Sequence, residues 1–276
     1  MSRRRIGLCA VVVAMFAAAL APSAASAWAP ASSASIHPGV QTVTAGGQCT
    51  SNFVFQDASN VYIGQAAHCS STGAQTDTDG CTSGSLPTGT AVQIDGASHP
   101  GTLVYNSWLT MQAKGEINPD TCAYNDLALV RIDPADVGNV NPSVPGFGGP
   151  TGVGTVGDLG STVYTYGNSS LRLGITKLSP KQGTVIQNEG NGWSHNVATV
   201  TPGIPGDSGS GFMNATGQAI GVLSTLQIAP LAGSNGVGDI GKEIAYMQAN
   251  SSLSGASLVP GTEPFKADLA GAIAGS

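Results

Sequence analysis

Charge is scarce in this chain: 9% of its 276 residues are Asp, Glu, Lys or Arg, and only ten of them are basic. Phosphate backbones are held by clustered Lys and Arg, and there is neither a basic patch nor a basic run, so nucleic acid is excluded as a partner. Long apolar runs are missing beyond residue 27, which leaves no segment of membrane-spanning length. Extended helical periodicity is also missing, and aromatic residues make up only 5%. In contrast, there are 39 glycines and 16 prolines, placed between short β-branched and apolar stretches. This is the composition of an all-β protein whose strands are joined by tight turns.

The first 27 residues follow a different logic. Arg3 to Arg5 precede an apolar run from Ile6 to Leu20, and Ala25-Ser26-Ala27 offers a small-residue cleavage site, so residues 1–27 read as a secretory signal peptide. Its removal leaves seven basic against 16 acidic residues, a formal charge of about −9. It also removes Cys9, leaving an even set of Cys49, Cys69, Cys81 and Cys122. In an exported protein four cysteines imply two disulfides, with three possible connectivities.

Residues 28–40 read as a flexible leader or short pro-segment with little to bury. A first β unit is expected over 41–147, from apolar stretches at 53–55, 61–63, 91–94, 102–105 and 127–132. The Gly/Pro-dense stretch around 138–160 reads as the connection to a second β unit over 148–238. Asp239 can cap a helix in 239–253, where Ile240, Ile244 and Met247 recur at i, i+4 and i+7. Residues 254–276 form a tail without a legible pattern.

Three short stretches carry chemistry. They are Gln65-Ala66-Ala67-His68-Cys69, Asn125-Asp126-Leu127-Ala128-Leu129-Val130 and Gly206-Asp207-Ser208-Gly209-Ser210. A serine hydroxyl is a weak nucleophile at neutral pH and needs an imidazole to take its proton, and the imidazole needs an anion to orient it. In order and wording the three stretches resemble the His, Asp and Ser motifs of the trypsin/chymotrypsin family of serine proteases, in its bacterial secreted branch. The resemblance spans roughly residues 41–253 in organisation. It implies two six-stranded antiparallel β-barrels with a short C-terminal helix, and a triad of His68, Asp126 and Ser208. The oxyanion hole would be formed by the backbone N–H groups of Gly206 and Ser208.

The same resemblance pairs Cys49 with Cys69 and leaves Cys81 with Cys122. It also requires a cation for Asp207. No Ile-Val-Gly-Gly start is present to supply an N-terminus, so an internal arginine, Arg172, is nominated. Pro202, six residues before Ser208, would lie at the base of the specificity pocket, where trypsin-like members carry Asp. The substrate strand would be Ser224-Thr225-Leu226, with Leu226 narrowing the pocket mouth. Preference for basic residues is therefore not expected, and small or medium apolar side chains are favoured.

These readings make the chain a secreted, extracellular, monomeric serine endopeptidase acting on peptide or protein substrates, with no cofactor, no metal and no membrane partner after signal cleavage. Two alternatives stand beside it: a catalytically silent binding or adhesion protein, and an esterase using the same triad. Asp77-Thr78-Asp79-Gly80 has the alternating oxygens of a calcium loop but lacks an acid at its twelfth place, and reads as a turn. Asn168, Asn214 and Asn250 begin glycosylation sequons.

Overall fold

The computed structural model describes residues 28–45, 47–74 and 77–276. The expected signal peptide, 1–27, lies outside the described residues. Seven strands come first: β1 (Gln41–Thr44), β2 (Gly47–Thr50), β3 (Val54–Gln56), β4 (Val61–Ala66), β5 (Ala91–Ile94), β6 (Gly101–Asn106) and β7 (Leu127–Arg131). Two short helices, α1 (Ser107–Lys114) and α2 (Pro119–Tyr124), separate β6 from β7. Six more strands follow: β8 (Thr162–Tyr166), β9 (Pro180–Glu189), β10 (Ser194–Thr199), β11 (Gly211–Asn214), β12 (Ala219–Leu226) and β13 (Asn235–Asp239). The chain ends in α3 (Ile240–Asn250), β14 (Ser257–Leu258) and α4 (Leu269–Ala274).

Strands β8 to β13 form a closed antiparallel barrel. The others form one eight-stranded sheet in the order β14-β3-β4-β7-β6-β5-β1-β2. β2 at one end and β3, next to the other end, are consecutive in the chain, and Asn52 N between them donates to Gly64 O of β4 at 2.8 Å. The sheet thus curls back on itself, and the molecule has the double-barrel architecture. Successive side chains of a strand face opposite ways. In β7 this sends Ala128 and Val130 into the core of the first barrel, beside Ile63, Leu103 and Trp108. Leu127 and Leu129 face a seam core shared with Tyr164, Met213 and Val222 of the second barrel and Ile244 and Met247 of α3. The continuous apolar run after Asp126 is therefore a strand buried on both faces, and its first residue stands at the seam.

Three features differ from the sequence reading. Residues 28–40 are not a flexible leader: Ile36 is fully buried and pairs in parallel with Val140, and Ala29 N donates to Val140 O at 2.9 Å. The 254–276 tail is likewise packed. β14 extends the first sheet at β3, and Phe265 meets Tyr164 edge to face. α1 and α2 are held by local capping, since Asn106 and Asn118 each accept two backbone N–H bonds at a helix start. Among the described residues no helix is long and apolar enough to cross a membrane.

Candidate active site

His68 lies in a single 3-10 turn that follows β4, and Asp126 directly precedes β7. Because β4 and β7 pair side by side, Ala66 opposite Leu127, the two residues emerge from neighbouring strand ends. His68 Nδ1 sits 2.6 Å from Asp126 Oδ2, and His68 N donates to Oδ1 at 2.9 Å. Ser224 of β12, from the other barrel, donates its hydroxyl to Oδ2 at 2.6 Å. Asp126 is almost fully buried, whereas about a quarter of the His68 side chain is exposed. Burial disfavours the imidazolium, but the charge and hydrogen bond of Asp126 outweigh it and hold the His68 pKa above its ordinary 6.5.

Ser208 reaches the seam through its backbone. Its carbonyl accepts from Thr50 N at 2.8 Å, and Gly209 N donates to Leu223 O at 2.7 Å. Gly209 has a φ of +88°, and a Cβ there would stand 2.8 Å from Ala66 N, so the turn rests directly on the end of β4. A disulfide joins Cys49, the neighbour of Thr50, to Cys69, the neighbour of His68; a second joins Cys81 to Cys122. The Ser208 turn and the His68 turn are thus fastened to the same short piece of β2. No hydrogen bond links Ser208 Oγ to the His68 ring among the described residues. Such contacts commonly tighten only when substrate is bound.

The backbone on the N-terminal side of Ser208 is turned with care. Pro205 O accepts from Ser169 Oγ at 2.6 Å, and the N–H of a trans peptide points opposite to its C=O, so Gly206 N–H faces away from Ser169. Gly206 O is held by Gln48 Nε2 at 2.9 Å and Thr50 Oγ1 at 2.8 Å. Gly206 has a φ of +95°, and a Cβ there would lie 2.4 Å from Gln48 Oε1. Neither Gly206 N–H nor Ser208 N–H donates to a protein acceptor among the described residues.

Asp207, fully buried, meets two cations. Arg172 Nη2 lies 2.8 Å and Lys181 Nζ 3.4 Å from its Oδ2. Ser169 N and Ile204 N also donate to its carboxylate. Burial, opposed by Asp207 and reinforced by Arg172, depresses the Lys181 pKa to about 8.

Two of the expected pocket residues, Pro202 and Leu226, are exposed. The Pro202 carbonyl accepts from Arg172 Nη2 at 2.8 Å. Leu226 is 51% exposed at the end of β12. Thr225 is half-buried, and Ser224 spends its hydroxyl on Asp126. The sulfurs of Cys49 and Cys69 sit near His68, but they are bonded to each other and leave no thiolate for a metal. Asp77 and Asp79 accept backbone N–H bonds of their own loop, as turn residues do.

No family model matches the chain, and no curated protein matches it in sequence. Among solved structures, it is similar to protease A of Thermobifida fusca, at 21% identity and a TM-score of 0.54. That match covers 82% of this chain and 99% of the other. A glutamic acid specific serine protease described as using a histidine triad in substrate binding matches at 18% identity and a TM-score of 0.50, over 81% and 100% of the two chains. The fold is that of the chymotrypsin-like serine proteases.

Sequence reasoning missed several residues that brace this site. Glu243 of α3 is fully buried and accepts from Asp126 N at 2.9 Å. It lies on the same helix face as Ile240, Ile244 and Met247, so the i+3 position in that pattern was the available signal. Gln48, Ser169 and Lys181 come together only in three dimensions, and nothing in their local sequence marks them.

Proposed function

We propose that this chain is a secreted serine endopeptidase that hydrolyses peptide bonds through an acyl-enzyme on Ser208. The observation that carries the reading is the buried Asp126 carboxylate, which takes His68 Nδ1 from one barrel and Ser224 Oγ from the other. With Nδ1 committed as a donor, His68 Nε2 is left as the base. Ser208 Oγ attacks the scissile carbonyl while Nε2 accepts its proton, and the imidazolium is stabilised by Asp126. The carbonyl oxygen gains charge between Gly206 N–H and Ser208 N–H, each worth about 3 kcal/mol in comparable sites. Collapse of this adduct breaks the C–N bond, and Nε2–H protonates the leaving amine. Water, activated by the same nitrogen, then releases the acid and restores Ser208.

Several observations favour the extracellular assignment. The arginine-led segment at 1–27 has the layout of an export signal, and two disulfides persist in oxidising compartments. The segments flanking Ser208, 199–206 and 224–235, contain no Asp or Glu, so a substrate Lys or Arg has no buried anion to meet. Peptide hydrolysis by the secreted protein tests the proposal. Cleavage of unmodified peptides, lost by at least about a thousand-fold in Ser208→Ala, is the expected result. Hydrolysis of esters with no peptide cleavage would favour the esterase reading, and a folded protein inert towards both would favour the binding reading.

A further inference from the structure

Two successive peptides lead into Ser208, and they are held very differently. The Gly206–Asp207 peptide is fixed three times over: Gly206 O accepts from Gln48 Nε2 and Thr50 Oγ1, and Asp207 N donates to Ile204 O at 2.8 Å. The Pro205–Gly206 peptide has a single hydrogen bond. Its N–H donates to no protein acceptor among the described residues, and its carbonyl accepts only from Ser169 Oγ, at 2.6 Å. Turning a peptide over requires ψ of the residue before it and φ of the residue after it to change together. The ring of Pro205 locks only its own φ, and a glycine such as Gly206 takes positive and negative φ with similar ease. This is therefore the peptide free to flip, and a flip carries the Gly206 N–H to the opposite side.

Ser169, which holds it, is itself locked. It is buried, its N–H donates to Asp207 Oδ1 at 2.9 Å, and its Oγ accepts from Leu171 N at 3.2 Å. With the hydroxyl oxygen engaged by Leu171, its hydrogen is directed to Pro205 O. The neighbouring residues tie the same turn to the first barrel. Asn168 N donates to Thr50 Oγ1 at 3.0 Å, Asn168 Nδ2 to Gly39 O at 3.0 Å, and Ser170 N to Gln48 Oε1 at 2.9 Å. The triplet Asn168-Ser169-Ser170, which matches a glycosylation sequon, thus spends its asparagine carboxamide inside the fold as part of a clamp. A Cβ on Gly206 would stand 2.8 Å from Ser169 Oγ, so the clamp closes directly on that glycine.

We infer that Ser169 is a positioning residue for the oxyanion hole: its hydroxyl holds the Pro205–Gly206 peptide in the orientation that presents Gly206 N–H to the developing oxyanion. Ser169 acts through that one peptide and not on the substrate. This rests on the endopeptidase reading above, in which Gly206 N–H is a donor. A donor aimed at the oxyanion lowers the energy of the transition state more than that of the bound substrate, so the effect belongs to kcat.

The test compares the wild-type protein with Ser169→Ala and Ser169→Thr, using a peptide substrate and a peptidyl trifluoromethyl ketone, which forms a hemiketal with Ser208 whose oxygen is an anion. In Ser169→Ala kcat should fall by at least about ten-fold, towards the hundred- to thousand-fold that loss of a whole oxyanion donor costs. KM should stay within about two-fold, and the ketone's inhibition constant should rise by the factor by which kcat falls. The acidic limb of the pH profile, set by His68, should not move. Ser169→Thr keeps the hydroxyl and should recover most of the activity. Ser169→Cys, similar in size and a weak donor, serves if the alanine variant does not fold. Wild-type hydrolysis with an unchanged kcat in Ser169→Ala overturns this inference and leaves the endopeptidase reading standing. A joint shift of KM and the acidic limb does the same, since it marks a merely structural role. A folded wild type that hydrolyses no peptide removes that reading and the inference with it.

Discussion

Ser224 donates its hydroxyl to the same Oδ2 of Asp126 that faces His68 Nδ1, at 2.6 Å in both cases. The two donors come from different barrels, so one carboxylate oxygen is the hinge between them. Ser224 draws off part of the negative charge that holds the imidazole, and the strength of that draw is measurable.

Ser224→Ala removes one donor to a buried charge. Loss of about 1.4 kcal/mol, or about ten-fold in kcat/KM, is expected. The undiluted carboxylate should raise the His68 pKa further, so the acidic limb of the pH profile moves upward. Asp126→Asn should do the reverse, lowering that limb while kcat falls by about ten-thousand-fold. Because only neutral His68 can accept the proton, wild-type activity should rise with pH through a midpoint above 6.5. Equal limbs in all three proteins would contradict the arrangement.

Glu243 places a second carboxyl behind Asp126, with no cation within salt-bridge distance among the described residues and no partner for its Oε2. Burial first, and the charges of Asp126 and Asp239 after it, push its pKa well above 4.5, against the backbone hydrogen bond from Asp126. The folded chain therefore binds a proton that the unfolded chain releases above pH 4.5, so this group's contribution to stability falls as pH rises past that value. Glu243→Gln keeps the acceptor for Asp126 N and removes the titration. Its Tm should equal or exceed that of the wild type at pH 7, with a smaller advantage at pH 4. Thermal melts at both values decide this, and a large loss at pH 7 alone would show that an ionised Glu243 is required.

Asp207 neutralises two buried cations at once. Asp207→Asn leaves both uncompensated and should cost about 3 to 5 kcal/mol, along with activity, since the residue lies between Gly206 and Ser208. Lys181→Met leaves the closer partner, Arg172, in place. Lys181 has a folded pKa of about 8 against an ordinary 10.5, so between these values the unfolded chain binds more protons and stability rises with pH. The full cost of the buried ammonium stands below pH 8. Lys181→Met should therefore raise Tm at pH 7, with the gain shrinking towards pH 10; a fall in Tm at pH 7 would show that both cations are needed.

Much of the architecture could be read along the chain because it depends on local pattern. The run Leu127 to Val130 marked a strand, and Ile240, Ile244 and Met247 marked the inner face of α3. The His68 and Asp126 stretches, taken together by resemblance, do meet at 2.6 Å at the ends of two paired strands. What escaped the reading depends on partners distant in sequence. Ile36 is buried because Val140 lies beside it, and Phe265 because Tyr164 does, so neither end of the chain announces its packing. Glu243 and Lys181 are charged residues on buried faces, and composition alone assigns such residues to solvent. Asn235 resembles any turn asparagine until Gly203 and Thr225 are placed against it.

The central claim is that His68, carried by the first barrel, activates Ser208, carried by the second. The direct measurement is mass-spectrometric mapping of the folded, secreted protein after reaction with a fluorophosphonate. The account predicts a single adduct on Ser208, formed far more slowly in His68→Ala and absent in Ser208→Ala. An unlabelled Ser208 in a folded sample, or equal labelling with and without the imidazole, would contradict it.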